Sequence, residues 1–261
     1  MAVRLSEKGF SCQREGLTIR GTVCRLPGED ARPLAVVCHG FMATQGTVKQ
    51  YARALARAGW TACCFDFCGG SAAFGRSEGN TYDMSVLTEV RDLLAVIAYM
   101  QGRPDVQSGK LLLSGCSQGG FVAALTAAKL GDAVSHLALM YPALCIPDDA
   151  RAGHMMFARF DPANVPERFR CGPMLLGRSY PMDVMGLDPF AEIAAYPGDV
   201  LLFHGTEDGL VKPLYSQRAL ESYRARPAGS AVLHLIEGAG HGFSPRQDRE
   251  VIARLTAFAA L

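Results

Sequence analysis

Residues 110–130 read KLLLSGCSQGGFVAALTAAKL and contain the motif that decides the fold. The stretch opens with a short apolar run typical of a buried strand and closes with an Ala- and Leu-rich segment typical of a helix. Between them, residues 115–119 form a G-x-S-x-G sequence centred on Ser117. A sharp turn from strand to helix exposes the serine hydroxyl, and the flanking glycines leave room for that turn. The stretch therefore predicts Ser117 as a nucleophile at the end of a strand.

Outward from this motif, strand patterns and helix patterns alternate along most of the chain. Strands are predicted at 10–14, 17–26, 34–38, 60–66, 110–114, 136–141, 200–203 and 231–236, and helices at 47–58, 86–101, 118–130, 213–224 and 246–260. Short apolar strands connected by helices are typical of a mostly parallel, doubly wound sheet. The predicted fold class is therefore α/β.

The alternation stops after Pro142 and resumes near residue 200. The intervening stretch is rich in proline, methionine and phenylalanine and shows no clean strand pattern. A structureless loop of this length is unusual in a compact domain. We therefore expect a small helical cap at 145–195, inserted over a core formed by residues 1–144 and 196–261.

A nucleophilic serine needs a histidine base, which in this strand-and-helix arrangement follows an acidic residue along the chain. His241 lies in the glycine-rich sequence GAGHGF, directly after the predicted strand at 231–236. That position is at the carboxyl edge of a parallel sheet, where ligands bind in open α/β folds. His234 is the alternative, but it lies inside the strand. The order and position favour His241 as the base.

The acid that orients the base is expected on the loop after the strand at 200–203. The sequence there is FHGTEDGLV, with Asp208 and Glu207 as adjacent candidates. Asp208 is favoured because the shorter side chain suits the turn chemistry of this loop. His204 precedes the acid in the chain and is assigned to the turn rather than to catalysis.

Two backbone amides are expected to bind the oxyanion of a tetrahedral intermediate. One is the N–H of Gln118, the residue after the nucleophile, and the other is the N–H of Phe41 on the loop after the strand at 34–38. His39 and Asp66 lie at neighbouring strand ends and are interpreted as residues that stabilise these loops.

Taken together, these motifs make the chain resemble bacterial cinnamoyl/feruloyl esterases of the α/β-hydrolase superfamily. The matching stretches are HGF at 39–41, FDFCGG at 65–70, GRSEG at 75–79, GCSQGG at 115–120, YPALCIPDDAR at 141–151, FDP at 160–162, HGTEDGLV at 204–211 and HLIEGAGHGF at 234–243. The resemblance covers nearly the whole chain, and it implies an α/β-hydrolase fold with a small inserted cap.

The resemblance also implies two substrate-binding positions in the cap. An acidic residue there can meet the phenolic hydroxyl of the substrate, and the matching position is Asp149. Some relatives carry a glutamine about two turns later, where this chain has Met156. The alternative for Asp149 is that it only caps a helix.

These features together predict a carboxylic ester hydrolase that works through an acyl-enzyme. The resemblance implies hydroxycinnamate esters or similar small aryl or short-acyl esters as substrates. The alternatives are a medium-chain lipase-like or thioesterase-like hydrolase, and a catalytically silent binding protein of the same fold. An acyl-enzyme mechanism requires no cofactor and no metal, and the nine cysteines lack the paired spacing of metal ligands, so neither is expected.

Composition narrows the expected partners and location. The net charge is +1, and no run of like charges suggests binding to nucleic acid or to a membrane surface. The N-terminus lacks the pattern of a secretory signal, and several cysteines lie in apolar runs, so we expect a cytoplasmic protein. The expected partner is a small-molecule ester, and the sequence leaves the oligomeric state open between monomer and homodimer.

Overall fold

The computed structural model describes residues 4–260, and its central element is an eight-stranded sheet. The strands of this sheet are β1 (Ser6–Arg14), β2 (Leu17–Arg25), β3 (Arg32–Cys38), β4 (Thr61–Phe65), β5 (Val106–Cys116), β6 (His136–Met140), β11 (Asp199–Gly205) and β12 (Ala231–Ile236). The helices outside residues 145–195 are α1 (Lys49–Arg57), α2 (Val86–Gln101), α3 (Gln118–Leu130), α7 (Leu214–Arg224) and α8 (Pro245–Phe258).

The order of strands in the sheet is β1-β2-β4-β3-β5-β6-β11-β12. The first two strands pair antiparallel, and β2 also pairs antiparallel with β4. All pairs from β4 to β12 are parallel. The carboxyl ends of six strands therefore meet at one edge of the sheet, and the predicted mostly parallel α/β sheet is confirmed.

Helices cover both faces of this sheet, because its inner strands are apolar on both sides. Val36 and Leu113 point into the larger core, which includes apolar residues of α2 and α3. Their neighbours Val37 and Leu112 point into the second core, against residues of α1 and α8. The single tryptophan, Trp60, is fully buried in this second core, and its indole N–H donates to the carbonyl of Ala259 at 3.0 Å.

The segment at 145–195, called the insertion below, connects β6 to β11. It contains the helices α4 (Ile146–Arg151), α5 (Ser179–Met185) and α6 (Pro189–Ile193), and the strands β7 (His154–Met155), β8 (Ala158–Arg159), β9 (Arg168–Cys171) and β10 (Met174–Gly177). These strands pair as two antiparallel hairpins. The segment expected to be a small helical cap therefore contains three short helices and, in addition, two short hairpins that were not expected. The strands have only two to four residues, too few to show an alternating pattern.

The cysteines that the sequence places in apolar runs are buried in the structure. All nine cysteines are buried free thiols in the part of the chain that the structure describes. Burial raises the pKa of the Cys12 thiol to about 11 and that of the Cys116 thiol to about 12, which makes them poor nucleophiles near neutral pH.

Among residues 4–260, no helix combines the length and the apolar character that crossing a membrane requires.

Candidate active site

Ser117 lies between β5 and α3 in a strained backbone conformation, with φ 54° and ψ −123°. A non-glycine residue rarely adopts this region, so the turn must be held by its surroundings. A Cβ atom at Gly115 would overlap the carbonyl of Gly119, and one at Gly119 would overlap the carbonyl of His39. The glycines of the motif thus allow the close backbone contacts that expose the serine hydroxyl.

His241 lies on the loop after β12, at the same edge of the sheet as Ser117. Its Nε2 is 2.9 Å from Ser117 Oγ. The ring of Tyr141, at the end of β6, packs edge-on against the imidazole with 4.8 Å between the ring centroids. The structure thus brings the predicted base within hydrogen-bonding distance of the predicted nucleophile.

Asp208 lies on the loop after β11 and is 4% exposed. Its Oδ2 accepts a hydrogen bond from His241 Nδ1 at 2.8 Å, and its Oδ1 accepts from the amides of Leu210 and Val211, both at 2.9 Å. Burial opposes ionisation of this carboxyl, but hydrogen bonds from His204, His241 and the Val211 amide hold its pKa well below the ordinary value. The carboxylate is therefore charged over the whole range in which proteins work.

Glu207 and His234, the alternative candidates for the acid and the base, lie outside this hydrogen-bonded line. Glu207 is exposed, and its amide donates to the carbonyl of Ala239 at 2.9 Å. His234 lies within β12 and stacks on Phe203, with 5.6 Å between the ring centroids. The structure places neither of them in the hydrogen-bonded line that joins Ser117, His241 and Asp208.

His204 contacts the same carboxylate, a role that the sequence analysis missed. It is fully buried, and its Nε2 lies 2.8 Å from the carbonyl of Val211 and 3.3 Å from Asp208 Oδ2. Its Nδ1 lies 2.6 Å from the hydroxyl of Ser216. His204 and His241 therefore both lie within 3.3 Å of the same carboxylate oxygen, Asp208 Oδ2. The spacing of four residues between His204 and Asp208 was the available signal.

The two predicted oxyanion donors also lie beside Ser117. Gln118 is the first residue of α3, and the first amides of a helix have no partner within the helix. The loop that carries Phe41 approaches closely, because a Cβ at Gly40 would lie 3.1 Å from the Cβ of Ser117. Both backbone segments therefore border the space in front of the serine hydroxyl.

His39 stabilises this loop from within the core. It is fully buried, its Nδ1–H donates to the carbonyl of Gly40 at 2.8 Å, and its Nε2 accepts from the amide of Phe67 at 3.1 Å. Burial lowers the pKa of the imidazole, although the bond to Gly40 acts in the opposite direction. A neutral ring with this tautomer satisfies both hydrogen bonds. Asp66 has a similar function, since its carboxylate accepts from the amides of Gln45 at 2.7 Å and Arg76 at 3.1 Å.

A cavity of about 370 Å³ opens in front of Ser117. Ser117, Gln118 and Phe41 line it from the core, together with residues after β6 and β11. The insertion supplies the following lining residues: Cys145, Ile146, Asp149, His154, Met155, Met156, Arg159 and Tyr180. Both residues that the resemblance assigned to substrate binding, Asp149 and Met156, thus line the same cavity as the serine.

Asp149 lies inside α4 and is not its N-cap, which is Cys145. The helix-capping alternative is therefore not supported. The Asp149 Oδ1 is 3.5 Å from the Nε2 of His154, and Arg159 is the residue opposite His154 in the β7–β8 hairpin. Burial raises the pKa of Asp149, while a hydrogen bond with the Cys145 thiol and the charges of His154 and Arg159 act against that rise.

Nothing among the described residues forms a group of three or more histidine, cysteine, aspartate or glutamate side chains able to hold a metal ion. A serine hydroxyl, a base, a buried carboxylate and two free amides are the parts needed for acyl transfer.

The sheet order and this site at its carboxyl edge define a serine hydrolase of the α/β-hydrolase fold. The sequence model of the family described as serine aminopeptidase, S33, matches residues 29–168, which is more than half of the chain, and the chain belongs to that family. No curated protein sequence matches at a significant level.

Solved structures share the fold at low sequence identity. Est1E from Butyrivibrio proteoclasticus, in a structure with bound ferulic acid, is 23% identical with a TM-score of 0.86, over 96% of this chain and 97% of that chain. An esterase from Pyrobaculum calidifontis is 20% identical with a TM-score of 0.70, over 98% and 84% of the two chains. A putative dienelactone hydrolase from Klebsiella pneumoniae is 15% identical with a TM-score of 0.67, over 98% and 99%. The resemblance to feruloyl esterases is thus confirmed for the fold.

Proposed function

We propose that this protein is a carboxylic ester hydrolase with Ser117 as nucleophile, His241 as base and Asp208 as the orienting acid. The observation that carries the proposal is the unbroken line of hydrogen bonds, 2.9 Å from Ser117 Oγ to His241 Nε2 and 2.8 Å from His241 Nδ1 to Asp208 Oδ2. In this line Asp208 fixes the tautomer that leaves Nε2 free to accept a proton.

In the acylation step, Ser117 Oγ attacks the ester carbonyl carbon while its proton moves to His241 Nε2. The carbonyl oxygen becomes an oxyanion that accepts hydrogen bonds from the amides of Phe41 and Gln118. The carbon–oxygen bond to the alcohol then breaks, and the imidazolium gives its proton to the leaving oxygen. The products of this step are the free alcohol and an ester between the acyl group and Ser117.

Water completes the cycle. His241 accepts a proton from a water molecule as that water attacks the acyl carbon, and the same two amides bind the second oxyanion. Collapse releases the carboxylic acid and returns the proton from His241 to Ser117 Oγ. No cofactor and no metal ion take part in either half of the reaction.

Hydroxycinnamate esters, or similar small aryl esters, are the proposed substrates. The cavity of about 370 Å³ is lined by aromatic and aliphatic side chains that suit an aryl group. Asp149 is half-buried in this cavity, where it contacts the Cys145 thiol and lies 3.5 Å from His154 Nε2, and a further hydrogen-bond donor would stabilise its charge. A phenolic hydroxyl would donate to it. Est1E, whose structure contains ferulic acid, has the same fold over nearly the full length.

The cavity offers less to two other substrate classes. An ammonium group, as on a peptide N-terminus, would pair with Asp149, but Arg159 and Lys212 line the same cavity and oppose a cation. A medium-length alkyl chain would pack on the methionines but would add no hydrogen bond to Asp149. Substrates of both classes should be assayed beside the hydroxycinnamate esters, since faster turnover of either would contradict the proposed substrate class.

The test is Asp149→Ala, assayed on methyl 4-hydroxycinnamate and on its 4-methoxy analogue. A hydrogen bond to a charged group contributes about 1.5 to 3 kcal/mol, so kcat/KM for the hydroxylated ester should fall about 10- to 100-fold. The methoxy ester and p-nitrophenyl butyrate have no hydroxyl to donate and should change less than about threefold.

Asp148→Ala is the matched control. Asp148 is the preceding residue on α4, but its carboxylate bonds to Arg151 at 2.6 Å and to the hydroxyl of Tyr215 at 2.8 Å. Its loss should not distinguish the two cinnamates. An equal fall for both esters in Asp149→Ala would exclude the recognition role, and faster turnover of an aminoacyl p-nitroanilide than of any ester would overturn the assignment as an esterase.

A further inference from the structure

The side chain of Gln118 is bonded at both ends inside the protein. It is 1% exposed, its Nε2 donates to Glu89 Oε2 at 2.8 Å, and its Oε1 accepts from the hydroxyl of Tyr180. In the mechanism above, only the backbone amide of Gln118 takes part. The side chain has no part in that mechanism. One of its two hydrogen-bond partners lies in the core and the other lies in the insertion.

Glu89 is the core partner. It lies in the first turn of α2 and is 1% exposed. Burial raises the pKa of this carboxyl well above its ordinary value, while the hydrogen bond from Gln118 acts in the opposite direction. A buried acid of this kind is costly to maintain. Glu89 accepts its hydrogen bond from the side chain of Gln118, whose backbone amide is one of the two proposed oxyanion donors.

Tyr180 is the partner from the insertion. It lies on α5 and is 1% exposed. Its hydroxyl bonds to the Gln118 side chain, and its ring packs against the ring of Phe41 with 5.5 Å between the centroids. One side chain of the insertion thus contacts both residues whose amides form the oxyanion site.

We propose that Glu89 and Tyr180 are positioning residues that hold the amides of Gln118 and Phe41 in place, so that the insertion controls turnover as well as substrate choice. This proposal rests on the proposed function, because it concerns the oxyanion site of that reaction. Neither residue needs to touch the reacting atoms. Each acts through the side chain of an oxyanion residue.

The physical reason is the narrow geometry of oxyanion binding. A donor stabilises the developing charge only when it lies about 2.7 to 3.1 Å from the oxygen, and loss of one donor costs on the order of 10²- to 10³-fold in kcat. An amide at the start of a helix moves with its own Cα and Cβ. Anchoring the Gln118 side chain at both ends therefore restricts the direction of its N–H.

The variants to compare are Glu89→Leu, Glu89→Gln and Tyr180→Phe, with kcat and KM measured on p-nitrophenyl butyrate. Glu89→Leu removes the acceptor and should lower kcat about 10- to 100-fold with less than a threefold change in KM. Glu89→Gln keeps an oxygen that accepts from Gln118 and should recover kcat to within about threefold. Tyr180→Phe keeps the ring on Phe41 and should lower kcat about 3- to 10-fold.

Asp92→Asn is the control for a merely structural role. Asp92 lies one turn further along α2 and is also fully buried, with bonds to Arg14 at 2.7 Å and to the amide of Cys68 at 2.8 Å. Its substitution should lower the melting temperature and leave kcat unchanged. A melting curve for each Glu89 variant shows that it folds.

Two results would overturn the proposal. One is a Glu89→Leu variant that is folded and keeps the wild-type kcat. The other is a loss of kcat that Glu89→Gln shares fully, since a neutral acceptor should suffice. Failure of the proposed function itself would look different, because the wild-type protein would then neither hydrolyse the ester nor react with a fluorophosphonate at Ser117.

Discussion

The edge of the sheet and the insertion meet at Ser117, but they are built in different ways. At the sheet edge, functional side chains sit on tight loops that backbone bonds define, as where Asp208 accepts two amides of its own loop. In the insertion, the lining side chains come from hairpins and helices of two to seven residues. The edge is therefore rigid enough for chemistry, whereas the insertion can change its lining at small cost to the fold.

The two regions also differ in what they leave exposed. The residues joined to Ser117 are buried or partly buried, and His241 is held by Asp208 and Tyr141. The insertion exposes Phe157 and Met182 on its outer surface. Tyr180 is the exception, since it is buried against Phe41 and Gln118. The comparison predicts large effects for substitutions at the edge and substrate-dependent effects for substitutions in the insertion.

The largest effect is expected for Ser117→Ala. Removal of the nucleophile in other serine hydrolases lowers kcat on the order of 10⁶-fold, with residual catalysis from the oxyanion site and binding. Hydrolysis of p-nitrophenyl butyrate by the purified variant measures it. Ser114→Ala is the matched control, because Ser114 is buried on the same strand and its hydroxyl contacts only the sulfur of Met140 at 3.8 Å. Wild-type rates in Ser117→Ala would end the assignment.

Asp208→Asn should rank second, with a loss on the order of 10⁴-fold in kcat, because the amide no longer fixes the productive tautomer of His241. Glu207→Gln should change kcat less than about threefold, since Glu207 is exposed on the same loop. Single-turnover measurements on both variants test the ranking. The reverse order would identify Glu207 as the acid.

His204→Leu should lower kcat on the order of 10- to 100-fold, because small displacements of a catalytic group have effects of that size. The variant removes the contact to Asp208 Oδ2 and the bond to the Val211 carbonyl. His204→Gln keeps a donor near the carbonyl and should recover part of the loss. His136→Leu is the control: His136 begins β6 at the opposite edge of the sheet, between Trp60 and Phe258, and should affect melting temperature alone. Equal kcat losses in both leucine variants would argue against a role for His204 in the site.

The sequence predicted the sheet edge better than the insertion for physical reasons. Each edge motif is local, since a strand pattern, a glycine-rich turn and one polar residue suffice to place Ser117, Asp208 and His241. Contacts between distant segments leave no such pattern. The bonds of Gln118 to Glu89 and Tyr180 span 29 and 62 residues, and no periodicity links them.

The short length of some strands is a second reason why the sequence did not predict them. The two-residue strands of the β7–β8 hairpin span a single period of alternation, which is too short to be recognised as a repeating pattern. The long N-terminal hairpin shows a smaller error of the same kind, because β1 begins at Ser6 and the predicted strand begins at residue 10. Its outer strand pairs on one side only and alternates weakly, so its start is defined by backbone pairing with β2 more than by side-chain pattern.

The smallest effect is expected for Met156→Gln. Met156 lines the cavity at the turn of the β7–β8 hairpin, with φ 48°. Both side chains are unbranched at Cβ, so the substitution leaves the backbone strain unchanged. A new hydrogen bond contributes about 1 kcal/mol, which should raise kcat/KM for methyl 3,4-dihydroxycinnamate about fivefold. Methyl 4-hydroxycinnamate has one hydroxyl, which we propose bonds to Asp149, and its kcat/KM should change less than twofold. Met156→Leu controls for shape, and it should affect both esters equally. An equal change in kcat/KM for both esters in Met156→Gln would mean that residue 156 only fills space and forms no hydrogen bond with the substituents of the ring.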